Sequence, residues 1–229
     1  MLKSYFSDLF MVLARPIYFF SNMPEGEWSD KPVTFAGITA AILSFFVTII
    51  VFITQYIPIG ATLLEKVALS KYIIVSPVMA VLAFTFFVIT YSITFGLFLV
   101  LILLLFWLLA VLLYYTGNLL AKGPGDYLKY LKASFYSSAV VIAFILPILF
   151  VILTKNRLMD FTNYVVGYNI IYSLVVLFLY GLEAIIARKA HGLKKWKAFV
   201  SALVPLLFMV IVGILANKVI LPKIMPWIM

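Results

Sequence analysis

Asn169, Tyr172, Ser173, Tyr180 and Glu183 share one side of a helix, since at 100° per residue they project within about 100° of one another. They lie in an apolar stretch, about Tyr164 to Ala187, long enough to cross a bilayer. Polar groups are costly against lipid, so this stripe should face the bundle interior or an aqueous cavity. Glu183 is the only acid inside a predicted span and stands about one turn from Arg188. Two readings follow: an ion pair near the interface that only holds structure, or a charged group on a ligand or transport pathway.

Two further charge clusters flank the apolar stretches. Arg188, Lys189, Lys194, Lys195 and Lys197 form a basic loop around Gly192, and Glu25, Glu27 and Asp30 form an acidic cluster between Ser21 and Pro32. The basic loop reads as a topology signal, as a dock for anionic lipid or an acidic partner surface, or as the ion-pairing partner of the three acids.

Enzyme chemistry finds little support, and no catalytic residue, cofactor or metal is expected. The chain has no cysteine for a thiolate nucleophile or metal site, and its 1 histidine, His191, cannot build a histidine-rich centre. No span carries the two carboxylates of an acid dyad, Ser137 and Ser138 have no base near them in sequence, and no glycine-rich phosphate loop occurs. The net charge of +9 fits juxtamembrane lysines against anionic lipid better than a nucleic-acid surface.

These residues are positioned by a chain of 229 residues that is 66% hydrophobic and only 11% charged, with mean hydropathy +1.20. In lipid the backbone must satisfy itself within each segment, and long unbroken apolar runs select helices over a barrel. The expected fold is therefore an all-α polytopic membrane bundle with short interfacial helices. An amphipathic arm, residues 1–33, precedes a membrane domain, 34–229. Leu2, Phe6, Leu9, Phe10 and Leu13 give the arm one apolar face at helical spacing.

Five spans are expected, at about 34–56, 77–115, 137–154, 164–187 and 198–216. In the first, Gly37, Ala41, Ser44 and Thr48 form a small-residue stripe for close helix packing, and Pro58 is expected to end the span. Tyr72 to Ala121 holds no Asp, Glu, Lys, Arg or His and is the ambiguous segment. Between Val78 and Thr116 its only turn-tolerant residue is Gly96, so one span is favoured over a hairpin, with Ser76-Pro77 as the helix start and the Pro77 end protruding or bent. Asp126 is placed to cap a short amphipathic helix, and Pro147 and Pro205 should kink the third and fifth spans. Pro222, Pro226 and Trp227 mark the tail.

With five spans and the N-terminus inside, the cytoplasmic segments carry Lys3, Arg15, Lys31, Lys122, Lys129, Lys132, Arg188, Lys189, Lys194, Lys195 and Lys197, most of the 17 Lys and Arg. The positive-inside rule favours that orientation, which puts the C-terminus outside.

With the segments laid out, the chain resembles the Yip-domain family, five-span membrane proteins named for interacting with Ypt/Rab-type GTPases. Arg15-Pro16-Ile17-Tyr18-Phe19-Phe20 followed by Trp28 and Pro32 is similar to the family's entry to its first span. Tyr127 to Ser138, with the pair Tyr136-Ser137, and His191 to Ala198, leading to Pro205, resemble its later segments. Ala139-Val140 stands where a proline often follows that pair, and the Asp-Leu-Tyr-Gly-Pro motif of eukaryotic members is missing. The likeness is thus to the prokaryotic branch, whose cells mostly lack the Rab cycle. It implies a multi-pass protein of the prokaryotic cytoplasmic membrane, with a cytoplasmic N-terminus and a non-enzymatic role in membrane organisation or partner recruitment. A GTPase partner is not expected. The alternative is a small transporter or lipid-translocating protein that uses the fourth-span stripe.

Overall fold

The computed structural model describes residues 2–23, 27–67, 69–121 and 125–229. It is all-α, with no strand among the described residues. Two short helices, α1 (Leu2–Ala14) and α2 (Pro16–Ser21), lead into α3 (Lys31–Val51), which passes through a π turn at Phe52–Tyr56 into α4 (Ile57–Glu65). Then come α5 (Leu69–Leu120) and α6 (Tyr127–Ser137), which continues through a 3₁₀ segment at Ser138–Phe144 into α7 (Ile145–Lys155). After α8 (Phe161–His191), α9 (Lys195–Leu215) runs through a second π turn at Ala216–Ile220 into α10 (Leu221–Ile228).

Five of these runs, Lys31–Glu65, Val75–Leu120, Tyr127–Lys155, Phe161–His191 and Lys195–Ile228, are long and apolar enough to cross a membrane. The chain is an integral multi-pass membrane protein. The disputed segment is one helix: α5 runs 52 residues, about 78 Å at 1.5 Å per residue, without a turn.

Its start differs from expectation, because Pro77 lies inside the helix and not at its first turn. Continuing past proline loses one backbone bond, whereas unwinding in lipid would expose several groups. Likewise Pro58 does not end the first span but sits at the second position of α4, and the tail expected after 216 is helical to Ile228. The third span is longer too, because the amphipathic segment capped by Asp126 runs straight into it.

Core packing explains the remaining shifts. On α3 the deepest residues are Ala36, Thr39, Ala40, Leu43, Ser44 and Thr48, while Gly37 and Ala41 are only half-buried. The packing stripe is thus rotated from the expected one, since Phe35 and Leu43 join it and fill volume that small residues alone would leave empty. The hydroxyls of Ser44 and Thr48 bond back to the carbonyls of Ala40 and Ser44 at 2.7 Å each. On α5 the buried set runs from Ile102 to Leu113, with Phe106, Leu109, Ala110 and Leu113 wholly enclosed. The first half of α5 pairs mainly with α3 and α4, through Tyr56–Thr90 (3.0 Å) and Thr48–Thr94 (3.3 Å) hydroxyl contacts.

The N-terminal arm docks through a side turned about 90° from the centre of its apolar face, with Leu9 shared between the two. Tyr5 and Val12 are buried, and Tyr5 Oη bonds Thr39 Oγ1 at 3.0 Å. Leu2, Phe6, Phe10 and Leu13 are exposed and form the outer side. The expected boundary at residue 33 falls within α3, which starts at Lys31.

Candidate functional site at the basic end of the bundle

The stripe on α8 is largely spent on holding α9. Tyr172 Oη donates to the Met209 carbonyl at 2.5 Å, with Gly213 leaving room for its ring. Tyr180 Oη donates to the Phe199 carbonyl at 3.2 Å, and Asn217 Nδ2 donates to Asn169 Oδ1 at 2.7 Å. Ser173, grouped with them by angle, is exposed on the outer surface of α8. A 100° arc is wide enough that its edge leaves the interface.

Glu183 departs furthest from its structural reading. It is 1% exposed, and neither carboxylate oxygen has a hydrogen-bond partner. It does not pair with Arg188, which is exposed. Five residues turn a helix by about 500°, which leaves the two side chains about 140° apart; only i,i+3 and i,i+4 pairs meet.

The basic loop is mostly helix. Arg188, Lys189 and His191 occupy the last turn of α8, where cations complement the exposed carbonyls. Gly192 then adopts the left-handed conformation (φ 65°) that ends the helix, and α9 begins at Lys195, with Lys194 as its N-cap. This tight reversal sets Arg188 and Lys189 beside Lys195 on one groove of about 240 Å³, floored by Gly181, Ala184, Ile185 and Phe199 and closed by Ile17 of α2. A Cβ at Gly181 would meet nothing within 4 Å, so the space above it is open. Arg15 lines an adjoining crevice that shares Ile17 and Ile185. Lys197 is committed elsewhere: its Nζ donates to the Leu120 carbonyl at 2.9 Å and pins the end of α5. Lys194 is exposed and lines no part of the groove.

Of the acidic cluster, only Glu27 and Asp30 are described. Glu25 lies outside the described residues, and Glu27 accepts from Ser29 Oγ at 3.3 Å. Asp30 lines a crevice of about 340 Å³ with Ser4, Asp8 and Lys31, between α1 and α3. Burial there pushes the Asp8 carboxyl above its usual range, with Lys31 and Ser4 offsetting only part of the rise.

A polar network joining α5, α6 and α8 carried no sequence signal, because its members are 61 and 73 residues apart. Asn118 Oδ1 accepts from the Gly125 amide at 3.1 Å and from His191 Nε2 at 2.7 Å, and Tyr130 Oη bonds His191 Nδ1. The Gly125 amide can only donate, which fixes the Asn118 orientation and puts the imidazole proton on Nε2. In the neutral ring Nδ1 then accepts from Tyr130. Both glycines are needed: a Cβ at Gly117 would lie 2.7 Å from Tyr130 Oη, and one at Gly125 would run into the His191 ring.

No group of three or more His, Cys, Asp or Glu that could hold a metal occurs among the described residues. Neither a protein-family model, nor a curated protein, nor a solved structure matches the chain.

Proposed function

We propose that this chain is a non-enzymatic membrane-organising protein, an adaptor of the Yip-domain type, whose basic end faces the cytoplasm and holds an anionic phospholipid headgroup. The observation that carries this reading is the groove at the α8–α9 reversal. Arg188, Lys189 and Lys195 supply positive charge at its rim, and Gly181, Ala184 and Phe199 supply an apolar floor for the upper part of an acyl chain. Basic pockets between transmembrane helices next to the membrane surface suit phosphate headgroups in this way. The exposed apolar side of α1, beside the same end, adds a second interfacial contact. A bound lipid at this position would tie the arm to the bundle and shape the surface offered to a protein partner.

Transport along the fourth-span stripe is the weaker reading. Asn169, Tyr172 and Tyr180 are already engaged with α9 or its continuation, and Ser173 faces outward.

The test is native mass spectrometry of protein taken from nanodiscs containing phosphatidylglycerol and phosphatidylcholine. The expected result is selective retention of phosphatidylglycerol, lost in the Arg188→Gln/Lys195→Gln double variant and kept in Lys194→Gln. Equal retention of both lipids, or a double variant indistinguishable from the parent, would refute the assignment.

A further inference from the structure

The groove accounts for the surface charges but leaves Glu183 unexplained. A lone ionised carboxylate buried in a membrane bundle costs several kcal/mol unless a cation or a bound proton offsets it. The nearest basic residue on its own helix, Arg188, points away, and no side chain bonds either oxygen.

Helix α6 and the 3₁₀ segment that follows it pack on α8, and they carry three buried hydroxyls. Helices α6 and α8 run antiparallel here: Tyr130 bonds His191, while Ala133 and Ile186 line one crevice. The same register sets Ser134, Ser137 and Ser138 alongside Glu183. All three serines are wholly buried, and Ser134 Oγ has no partner. Ser137 and Ser138 have already given their protons to the carbonyls of Ala133 (3.1 Å) and Phe135 (2.6 Å). They can therefore only accept. A carboxylate set beside oxygens that can only accept is stabilised by a positive species between them, either a cation or its own proton.

The backbone changes at the same level. The α-helix gives way to a 3₁₀ segment at Ser138–Phe144, packed on α8. Irregular backbone at membrane depth is tolerated where it is buried in protein or lines a cavity, and in transporters such breaks accompany ion sites.

We propose that Glu183, with the hydroxyl oxygens of Ser134, Ser137 and Ser138, forms an internal binding site for a small monovalent cation of sodium's charge and hardness. One carboxylate balances one positive charge, and an oxygen-only donor set selects a hard ion over a transition metal. The site bridges α6 and α8, so occupancy couples the start of the third span to the fourth. It does not depend on the lipid assignment.

The probe is sodium chloride, with choline chloride at equal ionic strength as the reference, and the readout is thermal unfolding of the purified protein. A ligand that binds only the folded state raises the melting temperature in a saturable way. Sodium is expected to do so for the parent chain, to do nothing for Glu183→Gln, and to act with about tenfold weaker apparent affinity on Ser134→Ala, which loses one neutral ligand. The parent measurement stands even if Glu183→Gln does not fold. Identical melting in sodium and choline overturns the proposal. So does a melting temperature that follows pH between 6 and 9 but ignores sodium, since a proton on Glu183 would then be the only occupant.

Discussion

Pro205 sits inside α9 and has no amide hydrogen, so the carbonyl of Ser201, four residues before it, loses its helical donor. Thr116 of α5 supplies a replacement: its Oγ1 lies 3.0 Å from that carbonyl and 3.1 Å from Ser201 Oγ. Thr116 is also within reach of the Leu112 carbonyl of its own helix at 2.9 Å. That carbonyl already has the Thr116 amide, so the hydroxyl proton is worth more at Ser201. Replacing Thr116 with Val keeps the shape and removes the donor. The orphaned buried carbonyl should then cost about 2 kcal/mol, within the usual 1–3 kcal/mol for an unsatisfied group. For a chain of this size that is about 4–8 °C in Tm. The sharper readout is a double-mutant cycle with Pro205→Ala, measured by urea or thermal unfolding in detergent. Alanine restores the amide donor to Ser201, so Thr116→Val should cost about 1 kcal/mol less in that background. Equal costs in both backgrounds would mean that Thr116 packs against α9 without repairing the proline, and the argument would fail.

Four other outcomes follow from the geometry. Gly117→Ala should lower stability by about 1–3 kcal/mol, because its Cβ meets Tyr130 and His191, whereas Gly96→Ala, with nothing within 4 Å, should not; equal melting temperatures would refute the tight network. Lys197→Gln should destabilise by about 1.5–3 kcal/mol through loss of the charged bond to Leu120 while Lys194→Gln stays silent, and the reverse order in thermal unfolding would exclude the assignment. Asp8 binds its proton more readily in the docked arm than in the free chain. Docking should therefore be tightest in acid and weaken as pH rises through the carboxylate range, and Asp8→Asn should flatten the profile; hydrogen exchange on α1 that slows as pH rises beyond its intrinsic dependence would contradict this sign. Because the chain has no native thiol, cysteines at Asn156 and Lys194 can be labelled from either side of the membrane, and modification from one side only at both positions would rule out the five-crossing arrangement.

The bundle was legible because its signals are local. Apolar runs set the five spans, and the lack of any turn residue but Gly96 correctly made α5 one helix. Asp126 showed itself as a cap, and it does accept from Leu128 and Lys129. The face that each element presents was less legible. Tyr5 outranks Phe6 and Phe10 as an anchor because it can carry a hydroxyl to Thr39, a partner 34 residues away. On α8 the angle groups Ser173 with Tyr172, yet only Ser173 of the five is exposed, because its side chain is too short to reach a partner on α9. Nothing local to His191 in the sequence announces Asn118 or Tyr130.

Pro58 and Pro77, expected at a helix end and a helix start, both lie within continuing helix, whereas Pro147 and Pro205 lie inside their spans as expected. Near a water-exposed end a proline stops a helix, since the freed carbonyls find water; in lipid they cannot, so the chain changes pitch and continues. Each π turn stands just before a proline at the second position of the next helix, Pro58 after Phe52–Tyr56 and Pro222 after Ala216–Ile220. The amides of Ile57 and Leu221 reach back to Phe52 and Ala216, which widens the turn where the proline ring would otherwise meet a carbonyl. Pro147 is preceded by the 3₁₀ segment, and Pro205 is repaired from outside by Thr116. A proline in such a chain therefore marks where a neighbouring backbone group needs a new partner. At Pro147 the irregular stretch it follows packs on α8, the helix that carries Glu183, a buried acid with no side-chain or backbone partner.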